Sequence, residues 1–223
     1  MRIARMVLWA LVLIVGAATA GVWVGKTYLM PEGSLSASNN IAAAFSRSGY
    51  AEAGGPFSLI DTAGNTVTAD DLRGKPVAFF FGFTHCPDVC PTALLDAATW
   101  LKALGDDADG INIAFVSVDP ERDRPEVLGQ YVKAFDPRIL GLTAETPEQI
   151  RDVADRYNVK FEKVPLQDGD YTMNHTSDTL LFDADGKFVD YIPFLSPQMR
   201  QNADVVEAQE AQTMKTLRDL ISG

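Results

Sequence analysis

Two cysteines and two histidines are all that a chain of 223 residues contains of those side chains. Two cysteines cannot build the multi-bridge framework of a small secreted scaffold. GxGxxG, GxxxxGK and HExxH strings are missing, so a dinucleotide cradle, a phosphate loop and a helix-borne zinc protease site have no basis here. Internal repeats and low-complexity tracts are missing too. Basic residues are scarce, 19 against 30 acidic, for a net charge of −11. Arg2, Arg5 and Lys26 fall in the first thirty residues, which hold no acid, so residues 31–223 carry 16 basic and 30 acidic groups, a net −14. Such a surface disfavours nucleic acid and anionic lipid as partners and tolerates metal cations and basic proteins. At 47% apolar and 22% charged, the chain can still bury a sizeable core.

One long apolar run is present. Met6 to Gly25 is 20 residues without a charge. At ~1.5 Å per residue it spans a hydrocarbon core of ~30 Å. Arg2 and Arg5 precede it, and Trp9, Trp23 and Tyr28 lie near its ends. By the positive-inside rule the N-terminus stays cytoplasmic and the remainder is exported. The rival is a cleaved signal peptide, since Ala18-Thr19-Ala20 has the small-x-small form. The run continues through Val22-Trp23-Val24, too long for a simple h-region, which favours a retained anchor. The organisation expected is a cytoplasmic tip and transmembrane anchor over 1–30, a linker rich in Gly, Ser, Ala and Asn over 31–55, and a folded domain over 56–223.

The domain alternates strand and helix. Pro76–Phe83 and Ile111–Val118 are continuous apolar runs, as expected of strands covered on both faces. A helix is expected from Pro91 to about Leu104, another after Asp123 as its cap, and a third behind the capping box Thr146-Pro147-Glu148-Gln149. Asp178–Phe182 and Lys187–Ile192 read as a hairpin around Asp183–Gly186, and Ser196-Pro197 opens a final helix. Strands alternating with helices, then a hairpin and a terminal helix, predict an α/β thioredoxin-like fold, a central mixed sheet with helices on both faces, in addition to the N-terminal transmembrane helix.

Cys86 and Cys90 lie between the first apolar strand and its helix. A thiolate there is stabilised by the helix dipole and unpaired N–H groups. A disulfide for stability alone is weakly motivated, because its loop has only five residues. Redox exchange and metal binding remain open. The thioredoxin plan brings the loop entering the late strand against the cysteine loop, and that loop holds Asn174-His175-Thr176. His175 would then face both sulfurs. Two thiolates and an imidazole suit Cu(I) better than Zn(II), which usually takes a fourth ligand. No proline occurs between Pro165 and Pro193, whereas thioredoxin-type oxidoreductases place a cis-proline in that loop. Pro87 stands where a peroxiredoxin has threonine. His85 beside Cys86, Met173 beside His175 and Asp119 at the carboxyl edge of the sheet are secondary candidates.

These residues resemble a known family. Gly82-Phe83-Thr84-His85-Cys86-Pro87-Asp88-Val89-Cys90-Pro91 is similar to the signature of the Sco/SenC copper-delivery proteins. Ser117-Val118-Asp119-Pro120-Glu121-Arg122-Asp123 is similar to a second motif of that family, and Asn174-His175-Thr176 to a third, in which Asp more often stands at 174. The resemblance covers about Phe57 to Tyr191. It implies that Cys86, Cys90 and His175 are metal ligands for copper, as Cu(I) with Cu(II) left open, and that Cys86 and Cys90 also form a redox pair. It further implies a copper chaperone, single-pass in a bacterial inner membrane with its soluble domain in the periplasm. Its task would be to supply or prepare the CuA site of cytochrome c oxidase subunit II, with a periplasmic copper donor or thiol reductant as second partner. The alternative is a thiol-disulfide reductase acting on the CuA cysteines.

Overall fold

Residues 49–167 and 169–223 are described by the computed structural model. The chain order is β1 (Ser58–Asp61), β2 (Thr66–Thr68), β3 (Val77–Gly82), α1 (Val89–Leu104), β4 (Asn112–Ser117), α2 (Pro125–Lys133), β5 (Leu140–Thr143), α3 (Pro147–Arg156), β6 (Phe161–Pro165), β7 (Tyr171–His175), β8 (Thr179–Phe182), β9 (Phe188–Ile192), α4 (Pro197–Arg200) and α5 (Ala203–Ser222). Seven strands form one sheet in the order β2-β1-β5-β4-β3-β8-β9, and β6 and β7 form a separate pair. β3, β4 and β5 run parallel and the remaining pairings are antiparallel. This is the thioredoxin-like mixed sheet that the alternating pattern predicts, with helices on both faces.

β3 positions the site. All six of its residues are buried, and successive side chains take opposite faces. Phe79 and Phe81 lie against Tyr157, which follows α3, with ring centroids 5.4 and 5.8 Å away. Phe80 and Gly82 take the other face, where Phe80 meets Phe115 of β4 at 5.9 Å and Phe115 meets Tyr131 of α2 at 5.8 Å. Burying each such ring is worth up to about 1.5–3 kcal/mol. The run Phe79-Phe80-Phe81 therefore ties both layers to one strand, whose end delivers the cysteine loop. Tyr50 and Ala53, ahead of β1, belong to the same core.

Several expectations are corrected. The N-terminal transmembrane helix and the single-pass inner-membrane localisation built on it are not upheld: no helix among the described residues is long and apolar enough to cross a membrane. α5 has the length, 20 residues, but carries Asp204, Glu207, Glu210, Lys215, Arg218 and Asp219, whose charges exclude it from hydrocarbon. The run Met6–Gly25 lies outside the described residues. The terminal helix is two helices, α4 capped by Ser196 and α5 by Asn202. Asp123 caps nothing, because α2 begins behind Arg124 without a side-chain cap.

Candidate metal centre

The cysteine loop leaves β3 at Gly82 and enters α1 at Val89. Cys86 lies in the loop and Cys90 is the second residue of the helix. Asp88, at the N-cap position, makes no side-chain cap. The sulfur of Cys86 takes over that role, accepting the backbone N–H of Cys90 at 3.3 Å. Helix N-termini leave such donors unsatisfied, so the fold supplies a polar partner to whatever occupies the loop. Gly82 makes room for the second sulfur. A Cβ at this position would lie 2.8 Å from Cys90 Sγ and 2.9 Å from the Phe115 ring.

His175 arrives from elsewhere. β7 pairs only with β6, Phe161 opposite His175 and Pro165 opposite Tyr171. Strand alternation puts Tyr171, Met173 and His175 on one side and exposes Asn174 on the other. The placement of His175 in the loop entering the late strand is thus corrected: His175 ends β7, and β8 begins four residues later. The β6–β7 hairpin has no counterpart in the expected pattern, although the alternation Tyr171-Thr172-Met173-Asn174 and Gly169 in the connection were signals for it.

The three candidate ligands meet. One donor atom from each of Cys86, Cys90 and His175 lies within 4.8 Å of the others. Cys90 Sγ is 3.4 Å from His175 Nε2. His175 Nδ1 lies 2.8 Å from the carbonyl oxygen of Thr176. A carbonyl only accepts, so Nδ1 is the donor, and Nε2 is left facing the sulfur. That is the tautomer a metal-binding imidazole needs, held by the outer hydrogen bond usual at such sites. Phe80 and Phe83 pack edge-on against the ring at 6.0 and 5.8 Å.

Both cysteines are free thiols, Cys90 buried and Cys86 half-buried. The hydrogen bond from Cys90 pulls the Cys86 thiol down most, and the backbone N–H groups of Cys90 and Asp88 add to this against partial burial. Burial foremost, then the charge and hydrogen bond of Cys86, push the Cys90 thiol up. The pair therefore holds one proton at neutral pH, on Cys90. The dipole argument did not distinguish the two thiols; burial opposes ionisation at Cys90, and the less buried Cys86 is the one favoured to carry the charge.

The secondary candidates divide. His85 is exposed and turns to Thr84 Oγ1 at 3.1 Å, outside the cluster. Met173 is buried in the core. Asp123 is fully buried and accepts from Thr84 N (2.9 Å), Thr84 Oγ1 (2.6 Å) and Ser117 Oγ (2.7 Å), which pins the start of the cysteine loop. Asp119 is 3% exposed and pairs with Arg122. A cavity of about 240 Å³ opens over the centre between Phe83, Cys86, Val89, Met173 and His175. Two sulfurs and an imidazole form a soft, three-donor set open on one side, suited to a low-coordinate soft cation.

A family model described as SCO1/SenC matches residues 46–210. Among solved structures, the ScoI protein of Bradyrhizobium japonicum with copper bound is 46% identical, covers 70% of this chain and 98% of that one, and superposes with a TM-score of 0.61. ScoI of Arabidopsis thaliana with copper bound is 36% identical over 74% of this chain and 98% of that one, with a TM-score of 0.63. The mitochondrial SCO1 homolog 1 of Arabidopsis thaliana is 41% identical over 145 residues, 64% of this chain and 43% of that protein. The chain thus spans under half the length of that curated relative.

Proposed function

We propose, for a chain that belongs to the SCO1/SenC family, that Cys86, Cys90 and His175 bind copper and that the protein hands it on as a metallochaperone. The observation that carries this reading is the convergence of the three donors within 4.8 Å, with Nε2 of His175 freed for coordination. Copper is cargo here. Cu(I) would displace the proton of Cys90 and take two thiolates and a neutral imidazole, leaving a net charge of −1. Its departure would proceed by stepwise exchange onto a partner's thiolates or imidazoles through the open side of the centre. Oxidation of Cys86 and Cys90 to a disulfide would remove two ligands and two electrons and end binding. Family membership supports a role in cytochrome c oxidase assembly and copper delivery. The CuA domain of subunit II is the recipient we propose, with 56–223 as the copper-binding domain.

A second reading, reduction of a target's disulfide, is favoured by one observation. The half-exposed Cys86 is the low-pKa thiol and Cys90 behind it is protonated, which is the order of attacking and resolving thiols. Anaerobic Cu(I) titration of the reduced protein against a competing chelator separates the readings. One tight equivalent, weakened at least about tenfold (1.4 kcal/mol) by His175→Ala, supports the chaperone. Binding indifferent to His175, with turnover of an oxidised target peptide, supports the reductase.

A further inference from the structure

The hairpin that carries His175 is hydrogen-bonded to neither edge of the seven-stranded sheet. Backbone ladders thus fix the cysteine loop, which hangs from β3, but not its distance from His175. The turn between β4 and α2 bridges the gap. Arg122 Nη1 donates to the carbonyl oxygen of Tyr171 at 3.0 Å, and its guanidinium lies 3.7 Å over the Tyr171 ring. Arg122 Nε donates to Asp119 Oδ2 at 2.5 Å, and Tyr171 Oη donates to Asp119 Oδ1 at 2.9 Å. Lys163 on β6 stacks on the same ring at 3.7 Å and donates to Glu121 Oε2 at 2.6 Å. Both hairpin strands are therefore tied to one turn. Asp123, at the far end of that turn, holds Thr84 of the cysteine loop by two hydrogen bonds.

A side chain such as Arg122, 16% exposed and ion-paired to a carboxylate at 3%, is no incidental surface contact. A guanidinium fork stacked on an aromatic ring holds a fixed plane and direction, which an ammonium does not. We propose that Asp119 and Arg122 are positioning residues: through Tyr171 they set the distance of His175 from Cys86 and Cys90, while Asp123 sets the cysteine side from the same turn. Neither residue belongs to the donor cluster. This rests on the copper reading above, and it assigns the second sequence motif a role in registering the first motif against the third.

The test combines Arg122→Ala and the milder Tyr171→Phe, each alone and with His175→Ala. In the apo, reduced protein, amide exchange at Thr172–His175 should quicken about tenfold in Arg122→Ala while Phe79–Phe81 stay protected. Cu(I) affinity should fall about tenfold. With His175 already removed, Arg122→Ala should cost no further affinity, since both changes act through one ligand. Tyr171→Phe should move both readouts in the same direction by less, and it decides the matter if Arg122→Ala does not fold. Equal losses in both backgrounds, or a loosened hairpin with intact affinity, would overturn the proposal. So would loosening of β3 together with the hairpin. Should His175→Ala leave Cu(I) affinity intact, the three-ligand reading itself fails and the positioning proposal falls with it; a failure of the positioning alone leaves the His175→Ala loss in place.

Discussion

Replacing Gly82 with alanine adds one methyl group at the most crowded point of the centre. Gly82 has an ordinary strand backbone, so the substitution costs nothing in φ, and it gains roughly 0.4–1 kcal/mol from a less flexible unfolded chain. Against this, the new Cβ meets Cys90 Sγ at 2.8 Å, the Phe115 ring at 2.9 Å and the Phe80 ring at 3.0 Å. All three neighbours are at most 4% exposed, so none can swing into solvent. Overpacking of this kind costs about 1–3 kcal/mol, and the net expectation is a loss of about 1–2 kcal/mol. Ordinary contact begins at 3.4 Å, so the sulfur must retreat by about 0.6 Å, beyond the ~0.5 Å tolerance of a preorganised site. Urea unfolding of the reduced apo protein reads the first effect, and competitive Cu(I) titration the second, expected as a loss of about tenfold or more. Gly49→Ala, where a Cβ meets nothing within 4 Å, should change stability by less than about 0.5 kcal/mol and affinity not at all. Native stability and native affinity in Gly82→Ala would refute the reasoning that a small residue is required there.

The two thiols should shape the pH profile of stability in the reduced apo protein. Cys86, depressed in the fold, contributes stability present above the unfolded thiol's pKa of about 8.5 and lost as pH falls toward its folded value. Cys90, raised in the fold, contributes stability present below about 8.5 and lost above it, by at most about 1.4 kcal/mol per pH unit. Urea unfolding across pH 6–10 should therefore lose its rising limb in Cys86→Ala, a shallow one because that thiol is half exposed, and in Cys90→Ala its falling limb together with part of the rising one, since the Cys90 hydrogen bond does most to depress Cys86. A difference profile that is flat for either variant would contradict the assignment. Cu(I) binding at pH 7 should release close to one proton, read from titration heats in buffers of different ionisation enthalpy, since only Cys90 holds one. Asp123→Ala strips three hydrogen bonds from Thr84 and Ser117 and should destabilise by about 2–4 kcal/mol in thermal or urea unfolding; a loss below 0.5 would show the network to be idle. His85→Ala should leave Cu(I) affinity unchanged, because its ring turns away from the centre.

Much of the fold was legible in the chain. Continuous apolar runs marked β3 and β4, the capping box at Thr146 marked α3, where Thr146 Oγ1 does accept from Gln149 N, and the Asp183–Gly186 turn marked the β8–β9 hairpin. Such signals are local. The β6–β7 hairpin was missed because it is half exposed and separate from the main sheet, so its strands lack an apolar run. Asp123 was misread because a residue two before a helical proline resembles a cap, whereas its partners Thr84 and Ser117 are 39 and 6 positions away. The candidate donors Cys86, Cys90 and His175 were named from spacing, residue type and resemblance, and the structure brings them together. The unequal protonation of the two thiols did not, because it depends on how deeply each sulfur is buried.

The sequence by itself determined which residues could bind a soft metal, since softness and donor number belong to the side chains, and which stretches would alternate as strand and helix, since periodicity belongs to the chain. Tertiary structure alone decided where Nε2 of His175 points, which thiol keeps its proton, and why Gly82 must be small. It also placed Asp119, Arg122 and Asp123 between the two halves of the centre. The pairings that assemble the centre join distant positions, Cys90 with His175 across 85, Thr84 with Asp123 across 39 and Arg122 with Tyr171 across 49, and no local pattern encodes a distance of that kind.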